Sequence, residues 1–503
     1  MLLKSVASAI NGRELRRTLS SSSSPFTAGV RCSSHGRRRV IDVAAKDGEL
    51  RVFLVAGEVS GDALASRLMA SLKNVSPVPV RFAGVGGSLM HKEGLQSIFP
   101  MEEIAVMGLW ELLPHLNNIR IKLKDTTESA ILFQPHVVVT VDSKGFSFRF
   151  LKLLQGRYIQ NTNSPVHVHY VAPSFWAWKG GETRLTHLRH FVDHILCILP
   201  FEEEICRLNG LPATYVGHPL LEDVVFSSKE LESSFDKCKF QGNVEAFRQE
   251  NGLSSGHGLP TKSFHQLKQN LYFTESTIIT LLPGSRLQEV TRMLPIFLKT
   301  VEFLKNSIPE LSTIIPVAPN CRVETYINNA IRTWPLRAIL IPGESIEKKY
   351  EAFRASRAAL CTSGSAVMEL MLAGLPSVVA YRAHFITECI VKLRTKLNFI
   401  SLPNILLESA VIPEVLFRAC TSDNLVRKLR EVLFNDEVRR LQISSAEEVL
   451  QILHNPIAQR SNSILDQLGF SSYKCCPSMI AASTVLYAEK LQKSHGLDSN
   501  FAP

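Results

Sequence analysis

The chain has 503 residues, enough for two ordinary domains with extensions, and its 45% hydrophobic and 20% charged residues are those of a soluble globular protein. No run of about 18 apolar residues is free of charge, so no membrane span is expected. Lys4 and seven arginines between Arg13 and Arg39 face Glu14 alone and carry most of the net +10, which leaves the rest near about +3 and excludes a basic body built for nucleic acid.

Residues 1–45 are rich in Arg and Ser and nearly free of acid, the composition of an organellar transit peptide. Leu2, Leu3, Val6 and Ile10 with Lys4, Arg13 and Arg17 suit a basic amphipathic helix, which favours a mitochondrion over a plastid. A disordered tail with no address is the plain alternative.

Residues 46–225 alternate short apolar runs with helical patterns. Strands are expected at 51–56, 80–85, 136–141, 167–171 and 193–199, and helices near 61–73, 120–133 and 201–209. This alternation predicts an α/β fold with a parallel, doubly wound sheet. Residues 226–276 are polar and without period, and read as a flexible insertion or linker. Order returns over 277–475: strands at 277–282, 313–317, 338–341, 357–361 and 377–380, helices at 287–306 and 322–333, and more through 436–453. Residues 476–503 form a C-terminal helix and tail, whose apolar face suits the first domain or a partner copy, so a homodimer stays open. Ten scattered cysteines without C-x-x-C read as reduced, mostly buried thiols.

Chemistry-bearing segments follow strands. Gly57-Glu58-Val59-Ser60-Gly61-Asp62 is a small-residue turn entering a helix, where backbone N–H groups and the helix start face an anion. One of Glu58 and Asp62 is expected to cap the helix and the other to meet a polar ligand. Asp142 ends the strand 136–141, placed either as a general base in the crevice or as a cap on the next turn. Gly284-Ser285-Arg286 opens the helix after strand 277–282, with a planar guanidinium suited to phosphate and Glu289 one turn on; a capped helix with a surface ion pair explains it equally well. Ser363-Gly364-Ser365 with Glu369 makes a second such turn, and Glu369 is placed for ribose hydroxyls or merely for the helix dipole. Two such turns in one half make a nucleotide diphosphate the natural ligand.

His169–Lys179 (HYVAPSFWAWK), with Arg184 and Arg189 beyond it, suits a wall for an apolar ligand with a charged head, or core. Val106–Leu116 and Phe146–Leu154 are apolar enough for patches that meet lipid, though packing explains them as well. D-x-D, H-E-x-x-H, G-x-x-x-x-G-K-[ST] and G-x-G-x-x-G at a strand end are all missing, so a metal-dependent transferase, a zinc hydrolase, a P-loop NTPase and a dinucleotide oxidoreductase lose support.

AGEVSGD (56–62), MEEIAVMGLWELL (101–113), HYVAPSFWAW (169–178), LPFE (199–202), GHP (217–219), LPGSR..EV (282–290), TSGSAVMELMLAGLP (362–376) and SLPNILL (401–407), in this order, resemble lipid-A-disaccharide synthase. That family comprises inverting glycosyltransferases of the GT-B type, with two Rossmann-type domains facing across a cleft. The resemblance spans about residues 50–455. It implies that UDP-2,3-diacylglucosamine is joined to 2,3-diacylglucosamine 1-phosphate, giving a β-1,6-linked disaccharide and UDP, at a membrane surface and with neither metal nor cofactor. It implies Asp142 as the base, Arg286, Glu289, Ser365 and Glu369 at the nucleotide-diphosphate end, and Glu58, Ser60, Asp62 and Asn404 as further polar cleft positions. The family usually shows D-A-P-D-F around the base, where this chain has Asp142-Ser143-Lys144-Gly145-Phe146. That change motivates two alternatives, a catalytically silent lipid- or nucleotide-binding descendant and another UDP-sugar enzyme such as an epimerase.

Overall fold

A computed structural model describes residues 39–104, 116–158, 164–223, 243–253, 276–308, 310–343, 345–464 and 476–490. The first half opens with helix α1 (Val40–Asp47), strand β1 (Leu50–Ala56), α2 (Val59–Val75), β2 (Val80–Val85) and α3 (Ser88–Lys92). It continues through α4 (Leu116–Phe133), β3 (Val137–Val141), α5 (Lys144–Arg157), β4 (Val166–Tyr170), α6 (Gly181–Leu188), β5 (His194–Cys197), α7 (Pro200–Leu208) and β6 (Ala213–Tyr215). All six strands are parallel, in the order β2-β1-β3-β4-β5-β6. Strands β1, β3 and β4 are buried almost throughout, on both faces, because helices cover both sides.

The second half repeats the plan. After α8 (Val244–Glu250) come β7 (Ile278–Leu282), α9 (Leu287–Leu304), β8 (Ser312–Pro316), α10 (Cys321–Arg332), β9 (Arg337–Ile341), α11 (Ile346–Ala355), β10 (Ala358–Cys361) and α12 (Ser365–Leu372). Next are β11 (Ser377–Tyr381), α13 (Phe385–Arg394), α14 (Leu402–Leu407), β12 (Glu414–Leu416), α15 (Ser422–Phe434), α16 (Asp436–Ile464) and α17 (Pro477–Tyr487). This sheet is also parallel, ordered β12-β11-β10-β7-β8-β9. The expected α/β class with two Rossmann-like domains is what the chain adopts.

In each sheet the chain reverses its direction of winding once. The reversal lies between β1 and β3 in the first and between β7 and β10 in the second. Such switch points leave a crevice beyond the strand ends, because the flanking helices go to opposite faces. The register sets the neighbouring ends level, Ala56 beside Val141 and Leu282 beside Cys361.

The halves are joined by more than a linker. One apolar core takes in β1 and α2 of the first half, α12 of the second, and Leu453 of α16. Tyr215 Oη donates to Leu453 O at 2.5 Å, and α17 returns to the first half, where Ser71 Oγ donates to Ser478 Oγ at 2.9 Å. The last apolar helix thus lies across the first domain.

Four readings of the sequence change. Strands β6 and β12 are three residues each, too short to show alternation. Residues 40–45, assigned to the leader by composition, belong to the fold: Val40 and Ala44 are buried in the core, and Val40 N–H donates to Ala488 O at 3.1 Å. Within the stretch read as a flexible insertion, Asn243 caps α8, Phe247 and Leu253 are buried, and the Arg248 guanidinium donates to Ala355 O and Ser276 O. These buried side chains override its polar composition there. Phe146, Phe150, Leu151 and Leu154 are core rather than a lipid-facing patch. The leader before Arg39, the apolar run up to residue 115, most of the insertion and the tail beyond Lys490 lie outside the described residues.

Candidate functional site

Four turns converge at the two switch points. In the first half, Ala56 runs through Gly57 into α2, with Glu58 as its N-cap residue in an extended conformation. Val141 runs into Asp142 and Ser143, both left-handed at φ 48° and 43°. Two successive non-glycine residues in that region are strained and turn the chain sharply out of the sheet. Backbone bonds hold the turn: Asp142 N–H donates to Tyr170 O at 3.0 Å, and Ser147 Oγ donates to Asp142 O at 2.8 Å. Among the described residues, nothing donates to the half-buried carboxylate of Asp142. It is not a cap. Gly57 must be glycine because a Cβ there would sit 2.5 Å from Ser143 Oγ.

In the second half, Gly284 is left-handed at φ 120°, and a Cβ there would collide with the Glu289 carboxylate. Glu289 reaches back over the turn, accepting from Ser285 N–H at 3.3 Å and from the Thr362 hydroxyl. Thr362 N–H in turn donates to Leu282 O at 3.0 Å. Glu289 therefore ties the two turns together rather than meeting solvent. Burial raises its pKa, while Arg286 and these hydrogen bonds oppose the rise. Ser363 is half-buried, and Gly364 and Ser365 are exposed at the start of α12, with open space above Gly364. Glu369 lies one turn into α12 and is held by Lys349 Nζ of α11 at 3.0 Å.

The halves meet where Arg286 Nη2 pairs with the Glu58 carboxylate. Burial raises the pKa of Glu58 first and the negative charge of Asp142 second, against the pull of Arg286. Glu58, Asp142 and Arg286 thus share one electrostatic neighbourhood although they come from separate sheets. An arginine on the phosphate-competent side faces two carboxylates on the other, which suits a reaction that moves a proton on one side and releases an anion on the other.

Not every expected residue faces this crevice. Ser60 is exposed on the first turn of α2. Asp62 is buried, and its carboxylate accepts from Gly87, Leu89 and Met90 N–H at 2.9, 3.0 and 3.1 Å, capping α3 rather than its own helix. Asn404 is fully buried; its amide bonds Ile412 O, Ile412 N–H and the Glu414 carboxylate. Both are structural supports with their hydrogen-bonding capacity largely spent.

Residues 169–179 are split in role. Trp176, half-buried, packs edge-on to Phe201 at 4.9 Å and donates from Nε1 to Glu202 Oε1 at 3.1 Å, which fixes it against the core. His169 is buried beside Phe148 and kept neutral, its pKa driven to about 3 by burial and by Lys144. The following backbone bridges the halves: Lys179 N–H donates to Arg394 O and Lys396 N–H to Ala177 O, each at 2.8 Å. Sequence reasoning missed Lys349 and this bridge, since both depend on partners about 20 and 215 residues away. Among the described residues, no group of three or more His, Cys, Asp or Glu is placed to hold a metal, and no helix is long and apolar enough to cross a membrane.

A family model described as lipid-A-disaccharide synthetase matches residues 52–241 and 256–468. A probable mitochondrial lipid-A-disaccharide synthase of Arabidopsis thaliana is 53% identical over 464 residues, covering 91% of this chain and 95% of that one. The lipid-A-disaccharide synthase of Rhodospirillum centenum is 37% identical over 404 residues, covering 80% and 90%. Among solved structures, a UDP-GlcNAc 2-epimerase of Neisseria meningitidis bound to UDP-GlcNAc aligns with 80% of this chain and 98% of its own, at 12% identity and a TM-score of 0.49. A family model matched over most of the length, with relatives this similar along nearly the whole of theirs, places the chain: it belongs to the lipid-A-disaccharide synthase family, which are glycosyltransferases.

Proposed function

We propose that the crevice joins UDP-2,3-diacylglucosamine to 2,3-diacylglucosamine 1-phosphate, forming the β-1,6 disaccharide and UDP. The observation that carries this is the meeting of Asp142 and Glu58 from one switch point with Arg286 from the other. Asp142, whose carboxylate nothing else occupies, takes the proton from the acceptor 6-hydroxyl as its oxygen attacks the anomeric carbon. The bond from that carbon to the β-phosphate oxygen breaks, and its electrons leave with UDP. Arg286 and the N–H groups around Ser363, Gly364 and Ser365 receive the developing charge of the diphosphate, with no metal in the scheme. Glu369, steadied by Lys349, meets the ribose hydroxyls. Arg286 must exchange Glu58 for the diphosphate as the donor enters, so loading the donor frees a carboxylate beside the base.

The test is an incubation of the chain from Arg39 onward with both substrates, read by mass spectrometry. The tetra-acylated disaccharide phosphate is the expected product. Donor consumed without disaccharide would favour an epimerase or hydrolase, and an untouched donor with UDP bound would favour a silent binder. Import into mitochondria, supported by the leader composition and by the Arabidopsis relative's name, is tested by fusing residues 1–45 to a fluorescent reporter. Plastid import would overturn it. Peripheral attachment to a membrane is tested by flotation with anionic vesicles, and a homodimer by sedimentation.

A further inference from the structure

Two cations share the ring of Phe175 and form no ion pair among the described residues. Lys144 opens α5 two residues after Asp142, and its Nζ lies 6.0 Å from the centroid of the Phe175 ring. The guanidinium carbon of Arg184, on α6, lies 5.8 Å from the same centroid. Among the described residues, neither forms an ion pair or a side-chain hydrogen bond. Lys144 is half-buried and Arg184 exposed. The positive charge of Lys144 is felt at Glu58, on the first-half side of the crevice, and at the buried Glu202 and His169.

An aromatic face attracts a cation, but it does not neutralise two of them. Like charges gathered at one ring, neither of them in an ion pair among the described residues, are arranged for an anion that arrives with a ligand. Gly145 next in the chain adds no side chain to block the approach, and the nearest atom to a Cβ there would be 3.7 Å away on Arg149.

We propose that Lys144 and Arg184, over Phe175, seat the phosphate monoester of the acceptor, on the far side of the sugar ring from the hydroxyl that Asp142 deprotonates. This rests on the acceptor reading above. It assigns the first half two tasks, proton removal at Asp142 and anchoring of a phosphorylated headgroup at Lys144 and Arg184. An acceptor held at both ends keeps its nucleophilic oxygen aligned for attack, which is where positioning contributes to rate.

Initial rates of the full chain decide it, with the 1-phosphorylated acceptor and its dephosphorylated counterpart compared across wild type, Lys144→Ala, Arg184→Ala and the double variant. With the phosphorylated acceptor, KM should rise roughly tenfold or more in each single variant, as for loss of a charge-assisted contact. The donor KM should stay unchanged, and the dephosphorylated acceptor should bind all four proteins equally. Lys144→Arg should recover most of the loss at that position. Equal losses for both acceptors, or an unchanged acceptor KM, would overturn the proposal. If wild type makes no disaccharide, the transfer reading fails instead. Calorimetry with a short-chain acylated glucosamine 1-phosphate then decides the subsite: binding weakened about tenfold by either substitution supports it, and unaltered binding ends it. Melting curves of the alanine variants confirm folding, and Lys144→Gln and Arg184→Gln replace any that fails.

Discussion

The two sheets wind alike about their switch points, and yet the turns at those points carry opposite chemistry. In the first half, β1 and β3 end in Glu58 and Asp142, two carboxylates close enough that one raises the pKa of the other. In the second, the turns after β7 and β10 carry hydroxyls and Arg286, and of their carboxylates Glu289 is turned inward to bind the turns together while Glu369 pairs with Lys349. A shared backbone plan thus leaves function to a handful of side chains at strand ends. In the proposed reaction the carboxylate side handles a proton, and the arginine side handles a leaving diphosphate. Because Arg286 already pairs with Glu58, the sides are coupled before any substrate is bound.

Breaking the proton side should have the largest effect. Asp142→Asn keeps the shape of the turn, since the backbone bonds to Tyr170 and Ser147 do not use the side chain. Turnover should fall by about a factor of 10²–10⁴, the usual contribution of a positioned base. UDP affinity and the melting temperature should stay close to wild type. Turnover within a few-fold of normal would move the base elsewhere.

On the phosphate side the expected loss is smaller and appears first in binding. Arg286→Ala should weaken UDP by roughly 10–100-fold, in line with loss of a charged hydrogen-bonded contact. Arg286→Lys should recover little, because an ammonium does not present the planar fork. Glu58→Gln should have the opposite sign, binding UDP a few-fold more tightly because Arg286 no longer has to leave an ion pair, while turnover falls. Calorimetry with UDP measures all three. Weaker UDP binding by Glu58→Gln would mean that Glu58 orients Arg286 for the nucleotide instead of competing with it.

Much of this arrangement is legible in the sequence for a definite reason. Buried parallel strands give apolar runs, and small residues follow them where the backbone must approach a ligand or another turn, as at Gly57 and Gly284. What fails to show is anything decided by distant partners. The order of strands places Glu58 beside Asp142, but no local pattern encodes that order. Val40 and Ala44 look like the end of a basic leader until α17, more than four hundred residues on, covers them. Asp62 and Asn404 look like cleft residues because they are polar and lie near the motifs, whereas their partners are backbone groups of other segments and, for Asn404, also the Glu414 carboxylate. Lys144 and Arg184 become a pair only when Phe175 comes between β4 and α6.

A third carboxylate of the first half separates burial from catalysis. Glu202, behind Trp176, is raised from its ordinary 4.5 to about 7 by burial, against the hydrogen bonds from Trp176 and Leu199 that favour its charged form. The folded chain therefore keeps a proton that the unfolded chain gives up. This stabilisation is whole below pH 4.5 and is lost as pH rises through about 7, over a span on the order of 3 kcal/mol. Glu202→Gln removes the titration while keeping an acceptor for Trp176. Its melting temperature should vary less than that of wild type between about pH 5 and 8. An identical profile in both proteins would assign the pH dependence to other groups.

The smallest effect concerns Asp62, and it tests whether position near a motif is enough to make a residue functional. Its two carboxylate oxygens already receive three backbone N–H groups of the turn 87–90. Little is left over for a ligand, because three of its roughly four acceptor sites are taken and the group is buried. Asp62→Asn exchanges one accepting oxygen for a donor that faces N–H groups, so the cost should fall on stability, about 1–2 kcal/mol for a weakened cap. Below the melting transition, kcat and both KM values should match wild type. The informative reverse case is a kinetic defect with an unchanged melting temperature. That result would mean that the loop 86–90, held down by Asp62 beside Met101, takes part in substrate binding, and the acidic side of the crevice would then extend one helix further than Glu58 and Asp142 alone.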